Sequence, residues 1–345
     1  MNDTFISRLE THTESEWLDT LDSLLPAIHE VDRNAVRIWF RFYPLDLLNY
    51  LETSDDVGDA MKGIAMQGDF GLLDKIDSSH RFLYGHRFWP QVKAAVIARA
   101  ESGEPFSTLA NEIKAVAKAV AVEAKTNETL TTAIAMVGLM TLVQAGFDEL
   151  KAASGIVQDP SGMMSGSPDS IVVERQKDDS QGLFGFLKTV DKKYSVNFEA
   201  RTFDGRFPII NEEEIASASQ RSRETDWQSF DSRCWEGPVP IECTSASCGT
   251  CWVGILGGQA KLSEPSVRER RQMKVFGYNQ PDDEKPFIRL ACQAKAYGNV
   301  TLVIPPWNAV FGKKVRGNVD DVELEPVTTS AAKLRETIAS VASGE

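Results

Sequence analysis

Cysteine and histidine are both scarce in this chain of 345 residues. There are five cysteines, none before Cys234 and all between residues 234 and 292, which is too few for a disulfide-stapled scaffold of this length. The four histidines, His12, His29, His80 and His86, all lie near the other end of the chain. Any thiolate chemistry is therefore confined to the C-terminal half, and any histidine chemistry to the N-terminal half.

Basic residues are in deficit as well. The chain has 37 Lys and Arg against 50 Asp and Glu, a net charge of −13. Because a nucleic-acid backbone requires a positive field, we expect no nucleic-acid partner. The deficit is uneven: residues 1–189 hold 17 basic and 28 acidic residues, whereas residues 190–325 hold 18 and 20.

Long apolar runs are also few. The first residues, MNDTFISRLETH, contain acids and no apolar segment of the secretory-signal type. The uncharged stretch 130–147 is 18 residues long and contains three threonines and a glutamine, which favours a buried bundle helix over a membrane span. We expect a cytoplasmic protein with no integral membrane span, peripheral to a membrane only as part of a larger complex.

Residues 1–153 are predicted to form an all-α helical bundle of five or six helices, for docking or oligomerisation. The apolar residues Trp17, Leu21, Leu24, Leu25 and Ile28 recur at helical spacing, and similar stripes follow Pro90 and Pro105. The composition then changes: residues 154–189 begin with a stretch rich in Gly, Ser and Pro, which predicts a linker.

Residues 190–325 are predicted to form an α+β domain. Strand-like patterns occur at 195–207, with a turn signal at Asp204-Gly205, and again at 252–258, 287–294 and 299–306. A charged helix is expected between two of these strands, beginning at Ser263 or Ser266. Residues 326–345 are predicted to be a polar tail or a last helix.

Four of the cysteines follow a spacing that suits a metal centre. Cys243, Cys248 and Cys251 form a C-x4-C-x2-C motif, and Cys292 follows after 40 further residues. Small residues between the cysteines would let one loop turn three thiolates inward and bring backbone N–H groups to the sulfurs. A structural zinc site more often has two C-x2-C pairs, and a disulfide is typical of an exported chain. These two alternatives and a chance arrangement remain open from spacing alone.

The motif and its surroundings resemble those of the [2Fe-2S] ferredoxins. The C-x4-C-x2-C spacing is that of the plant type, while the segment LSEPSVRERRQM and the distant Cys292 are similar to the adrenodoxin-like branch. This resemblance implies a β-grasp fold, in which a mixed sheet packs over a helix, and a [2Fe-2S] cluster bound by Cys243, Cys248, Cys251 and Cys292 near one surface. The segment 207–236 is longer than a compact ferredoxin requires, so we expect an insertion there. Cys234, within that segment, is expected to be a free buried thiol, with ligand exchange or redox sensing as the alternative.

The resemblance implies a one-electron carrier rather than a stand-alone enzyme, and no catalytic residue is predicted. Residues 1–150 contain no Gly-rich phosphate loop, so the electron donor and acceptor should be separate proteins. We expect a dedicated redox subunit or partner of a larger oxidoreductase complex, such as a hydrogenase, dehydrogenase or oxygenase system, that docks through its acidic helical half.

Two further hypotheses are kept. One is a haem- or ligand-binding enzyme or sensor centred on the helical domain and fed by the cluster, with His80 or His86 as haem ligand because both lie among aromatic residues. The other is an assembly protein in which the apolar stretch 130–147 forms a homo-oligomer interface.

Overall fold

The structure, a computed structural model, describes residues 3–177, 192–278 and 286–317. Its α-helices are α1 (Asp3–Glu10), α2 (Glu14–Leu24), α3 (Glu30–Phe42), α4 (Leu45–Glu52), α5 (Val57–Gly63), α6 (Trp89–Glu101), α7 (Leu109–Ala124), α8 (Glu128–Ala145), α9 (Phe147–Ala152), α10 (Pro168–Gln176), α11 (Ile215–Ser219) and α12 (Val267–Phe276). Its strands are β1 (Gln67–Gly68), β2 (Lys193–Glu199), β3 (Asp204–Ile210), β4 (Glu213–Glu214), β5 (Trp252–Gly257), β6 (Ile288–Leu290), β7 (Lys295–Ala296), β8 (Val300–Val303) and β9 (Trp307–Asn308). The layout is therefore helical in the N-terminal region, with a C-terminal mixed sheet.

The chain divides into two compact units. The first, here the helical unit, comprises the residues up to Thr53 together with Phe70–Glu174. The second, here the sheet unit, comprises Ser54–Asp69 and the chain from Arg175 onward. These ranges differ from the predicted domains at two places, and each difference has a physical reason.

The first difference is that Ser54–Asp69 joins the sheet unit, although it lies within the predicted bundle. Strand β1 pairs with β9, Gln67 opposite Asn308, and Val310 N–H donates to the Ile64 carbonyl at 2.7 Å. Such pairing between distant segments leaves no local pattern in the sequence.

The second difference is that the first half of the predicted linker is folded into the helical unit. Met164 and Ile171 are buried against Val31 and Tyr84, and α10 runs across the unit boundary. The predicted linker residues 178–191 and the predicted tail lie outside the described residues.

Helix α8 forms the core of the helical unit. It is buried along most of its length and packs against α1, α3, α6 and α7. Gly138 permits the approach of α6, since a Cβ at that position would lie 2.6 Å from Val92 Cγ1. Among the described residues α8 is the one helix long and apolar enough to cross a membrane, and 72% of it is buried inside the protein. It is a bundle helix, as predicted, and its apolar surface is already covered, so it does not supply the interface that the assembly hypothesis requires.

The sheet unit is built on a five-stranded mixed sheet. The strand order is β3-β2-β8-β5-β6; β2 and β8 run parallel, with Val196 opposite Val300, and the other neighbours are antiparallel. Strand β5 is buried throughout, as its unbroken apolar run predicts. Ser266 caps α12 by accepting the Glu269 N–H, which sets the start of the helix at one of the two predicted serines.

Two local predictions are wrong in detail. The β2–β3 turn spans residues 200–203, closed by a 2.8 Å bond from Ala200 N–H to the Phe203 carbonyl, and Asp204 and Gly205 already belong to β3. Strand β6 ends at Leu290, because the chain must turn there to bring Cys292 to the cysteine loop.

The segment 207–236 is folded rather than loose. Trp227 and Phe230 pack against Phe198 and Phe203, with ring centroids 5.5–6.4 Å apart. Arg233, almost fully buried, binds Asp231 and donates to the Pro305 carbonyl at 2.7 Å. These contacts fix this segment to the end of the sheet and lead the chain into the cysteine loop.

Candidate metal centre

The cysteine loop, residues 243–251, has no regular secondary structure and is held between two strands of the sheet. Cys251 directly precedes β5, and Cys292 follows β6 by two residues. Because β5 and β6 pair with Trp252 opposite Leu290, and Ala291 N–H donates to the Cys251 carbonyl at 2.8 Å, the sheet brings these two cysteines together. Pairing of the two strands thus places Cys292 beside Cys251, although 40 residues separate them in the sequence.

The four motif cysteines lie in two pairs of adjacent thiols. Cys243 is paired with Cys248, and Cys251 with Cys292. Cys243, Cys251 and Cys292 are at most 7% exposed, and Cys248 is half-buried. No three His, Cys, Asp or Glu side chains within the described ranges converge tightly enough to hold a metal ion between them. The candidate donor set therefore consists of two adjacent pairs of thiols.

Backbone N–H groups of the loop are aimed at these sulfurs. Ser247 N–H donates to Cys243 Sγ at 3.4 Å, and the N–H groups of Ser245 and Cys248 lie near the same sulfur. The N–H groups of Thr250 and Ala246 lie near Cys248 and Cys292, while the Thr250 hydroxyl donates to Glu242 Oε2 at 3.2 Å. Sulfur is a weak acceptor as a thiol and a much stronger one as a charged thiolate. The loop is thus arranged for negatively charged sulfur.

The pKa values of the thiols follow from these bonds. Donation from Cys248 lowers the pKa of Cys243 to about 5, and the same bond, together with burial, raises the pKa of Cys248. In the second pair, donation from Cys251 lowers the pKa of Cys292, and the pKa of Cys251 is raised. In each pair one thiol is therefore the more acidic and its partner the less acidic, and any proton still held must leave when a metal binds both sulfurs.

Two residues of the loop have left-handed backbone conformations that produce its tight curvature. Ala246 has φ +59° and Gly249 has φ +71°. A Cβ at Gly249 would lie 3.0 Å from the Phe276 ring, so glycine is required there by contact as well as by conformation. The Tyr278 hydroxyl lies 3.0 Å from the Gly249 carbonyl oxygen, and its ring stacks on Trp252 at 3.6 Å. The C-terminal end of α12 thus supports the underside of the loop.

A buried ion pair holds α12 to the strand that leads to Cys292. Arg289 binds Glu269 through two bonds of 2.8 and 2.9 Å, and both side chains are at most 3% exposed. Glu269 also accepts the Leu290 N–H at 3.2 Å. The sequence analysis did not predict this ion pair. The features that could have indicated it are the single acidic residue of an otherwise basic helix and the single arginine of an apolar strand.

Gln293 joins the two parts of the site. Its side-chain N–H group lies 3.7 Å from Cys292 Sγ and 3.3 Å from the Thr244 carbonyl oxygen. It lines an open cavity of about 590 Å³ together with Thr244, Cys292 and Ser263. Thr244 and Ser245 are exposed, so the site reaches the surface along one rim of the loop.

Cys234 is separate from this arrangement, as predicted for a free thiol. It is fully buried, donates to the Pro238 carbonyl at 3.2 Å, and has a pKa raised to about 12, chiefly by burial. A thiol in this environment remains protonated and is a poor ligand.

The two histidines proposed as haem ligands lie together in the helical unit. Their Nδ1 atoms are 2.9 Å apart, and His80 Nε2 lies 3.2 Å from the Ile76 carbonyl oxygen. Burial lowers the pKa of both, that of His86 to about 4, so the pair is neutral. Both ring nitrogens of His80 are engaged, and His86 Nε2 is buried with no hydrogen-bond partner. Of the two, only His86 retains a ring nitrogen for a ligand.

A search against protein-family models finds no match to this chain, and no solved structure matches it.

Proposed function

We propose that this protein is a one-electron carrier that binds a [2Fe-2S] cluster through Cys243, Cys248, Cys251 and Cys292. The observation that carries the proposal is the meeting of the three thiols of the cysteine loop with that of Cys292, with N–H groups of the loop directed at the sulfurs. A cluster of this kind supplies reversible one-electron redox chemistry. The four cysteines would hold it, and the N–H groups of the loop would compensate the thiolate charge.

The fold supports the proposal that the sheet unit is a β-grasp ferredoxin-like domain. It has a mixed sheet with a parallel pair at its centre, and a helix, α12, between the strands that bring in Cys251 and Cys292. The motif, the helix and the last ligand therefore follow one another in the order that the sequence resemblance implies.

The donor set favours the binuclear cluster over structural zinc. A zinc ion requires four ligands around one centre, whereas the thiols here are grouped two and two, Cys243 with Cys248 and Cys251 with Cys292. The exposed rim at Thr244 and Ser245 also suits electron exchange with a docked protein, since such transfer requires proximity and no substrate pocket. We infer that the protein serves as a subunit or partner of a larger oxidoreductase system.

The test is a cysteine series made in the full chain and purified without oxygen. Replacing any one motif cysteine by serine should remove most of the visible absorption and lower the iron content from two per chain. Cys234→Ser is the matched control and should keep both, because that thiol lies outside the two pairs. Loss of the cluster in Cys234→Ser, with retention in Cys243→Ser, would contradict the ligand assignment.

A further inference from the structure

Helix α12 presents basic side chains to solvent beside the cysteine loop. Arg268, Arg271 and Lys274 are three residues apart, so they share one side of the helix, and all three are exposed. The single acid of the helix, Glu269, is buried against Arg289. The outward side of α12 therefore carries positive charge with no acid of its own.

The positive charge continues past the end of the helix. The turn Gly312–Arg316 packs against the C-terminal end of α12: Phe311 N–H donates to the Phe276 carbonyl at 3.2 Å. Lys313 and Lys314 in this turn are exposed. We call the five residues Arg268, Arg271, Lys274, Lys313 and Lys314 the basic row.

The basic row is tied to the proposed metal centre at its start. Arg268 Nη2 lies 3.5 Å from Ser247 Oγ, and Ser247 N–H in turn donates to Cys243 Sγ. The helix of 10 residues is about 15 Å long, so a protein lying along the row is also beside the exposed rim of the loop.

We propose that the basic row docks an acidic surface of a redox partner and holds that partner against the rim formed by Thr244 and Ser245. The inference rests on the proposed function and adds the partner's charge and its place of contact. Complementary charge steers and orients an encounter more than it tightens the complex. Because the whole chain carries −13, the basic row is a local exception to its acidic balance, which favours one orientation of an acidic partner. This departs from the expectation that docking belongs to the acidic helical half.

A binding measurement tests the row independently of electron transfer. The probe is a fluorescent peptide of ten glutamates, added to the full chain as purified, with anisotropy as the readout at low ionic strength. The double variant Arg271→Glu/Lys274→Glu should weaken binding by about tenfold. The matched control Lys114→Glu/Lys118→Glu changes the net charge equally on an exposed side of α7 and should have less than about a twofold effect, because distant charges are screened. Equal effects in the two variants would overturn the inference.

Electron-transfer kinetics give a second readout. The reduced protein gives one electron from its ferrous iron either to ferricyanide, which becomes ferrocyanide, or to the cation hexaamminecobalt(III), which becomes cobalt(II). In Arg271→Glu/Lys274→Glu the ferricyanide rate should fall and the cobalt rate should rise, whereas the Lys114/Lys118 variant should keep the wild-type ratio. If the charge reversal prevents folding, Arg271→Gln/Lys274→Gln replaces it, with the same direction and a smaller effect.

The outcomes separate the two proposals. A cluster that is present and reducible, with a rate ratio that changes equally in both double variants, contradicts the docking inference and leaves the proposed function standing. A chain that contains no dithionite-reducible cluster contradicts the proposed function, and with it the redox nature of the partner, whatever the peptide shows.

Discussion

The two units of this protein use their buried polar groups differently. In the helical unit the buried carboxylates have protein partners: the Asp32 carboxylate accepts the N–H groups of Tyr84 and Gly85 at 2.6 and 2.9 Å, and Arg99 binds Glu112 at 2.7 Å. In the sheet unit, N–H groups of the cysteine loop are aimed at sulfur atoms, which are weak acceptors until they are charged. The buried charges of the helical unit are thus matched within the protein, whereas the loop of the sheet unit surrounds thiols that we propose bind a cluster.

The largest effect should come from breaking the buried ion pair in each unit. Glu269→Gln leaves Arg289 buried without its counter-ion and should lower the free energy of unfolding of the sheet unit by about 3–5 kcal/mol. Cluster absorption should then decay faster on warming, because Glu269 also holds the strand leading to Cys292. Glu112→Gln is the matched change in the helical unit.

Thermal scans that record absorption and ellipticity together distinguish the two variants. We expect Glu112→Gln to lower the midpoint temperature of the transition recorded by ellipticity and to leave the half-life of the cluster absorption unchanged. Equal loss of the cluster in both variants would show that the two units do not behave separately.

A smaller effect is expected from alanine at glycines with positive φ. Gly249→Ala adds a contact with Phe276 to the backbone strain and should destabilise the sheet unit by about 2–3 kcal/mol. Gly162→Ala, at φ +54° in the helical unit with nothing within 4 Å of the added Cβ, should cost about 1 kcal/mol. Urea unfolding of each variant measures both values, and a Gly249→Ala cost no larger than that of Gly162→Ala would contradict the tight contact.

Acid should destabilise the helical unit through the histidine pair. The folded pKa of His86, about 4, is below the unfolded value of about 6.5, so between these limits the unfolded chain binds more protons. Stability is complete above about pH 6.5 and is lost as pH falls toward 4, by up to about 1.4 kcal/mol per pH unit for each such group. Hydrogen exchange of α6 and α8 amides at pH 7 and 5.5 should show this loss, and His86→Gln should reduce the slope. An equal slope in His86→Gln would assign the acid sensitivity to other groups.

We expect substitution of Gln293 to cause the smallest change in stability, together with a change in the reduction potential of the cluster. Gln293→Met removes the N–H group beside Cys292 Sγ while keeping the length of the side chain. Since a hydrogen bond to sulfur favours the more negative, reduced state, the reduction potential should fall while the cluster content stays the same. A redox titration monitored by visible absorption measures the reduction potential. An unchanged potential would show that the 3.7 Å contact between Gln293 and Cys292 Sγ has no electrostatic effect on the cluster.

Local patterns predicted the parts of the sheet unit that are determined locally. The apolar run of β5 and the serine cap of α12 each lie within about ten residues, and each appears where the sequence predicts it. The N-terminal helices are also correctly assigned as a class, although they are shorter and more numerous than expected, because turns such as the one at Tyr43 and Pro44 interrupt the apolar stripes.

What the sequence could not predict depends on distant contacts. The joining of Ser54–Asp69 to the sheet unit depends on pairing across about 240 residues, and the pairing of Arg289 with Glu269 depends on how α12 lies against β6. The grouping of the four thiols into two pairs required the β5–β6 register, which motif spacing does not contain. The basic residues of the row can be read from the sequence, but their exposure beside the cysteine loop cannot.

The most direct test of the central claim is low-temperature EPR of the full chain, purified without oxygen, before and after dithionite. We predict no signal as isolated in the oxidised state, and a rhombic spin-half signal on reduction from a centre with two irons per chain. An EPR-silent protein that contains one zinc and no iron would contradict the assignment and return the four cysteines to a structural role.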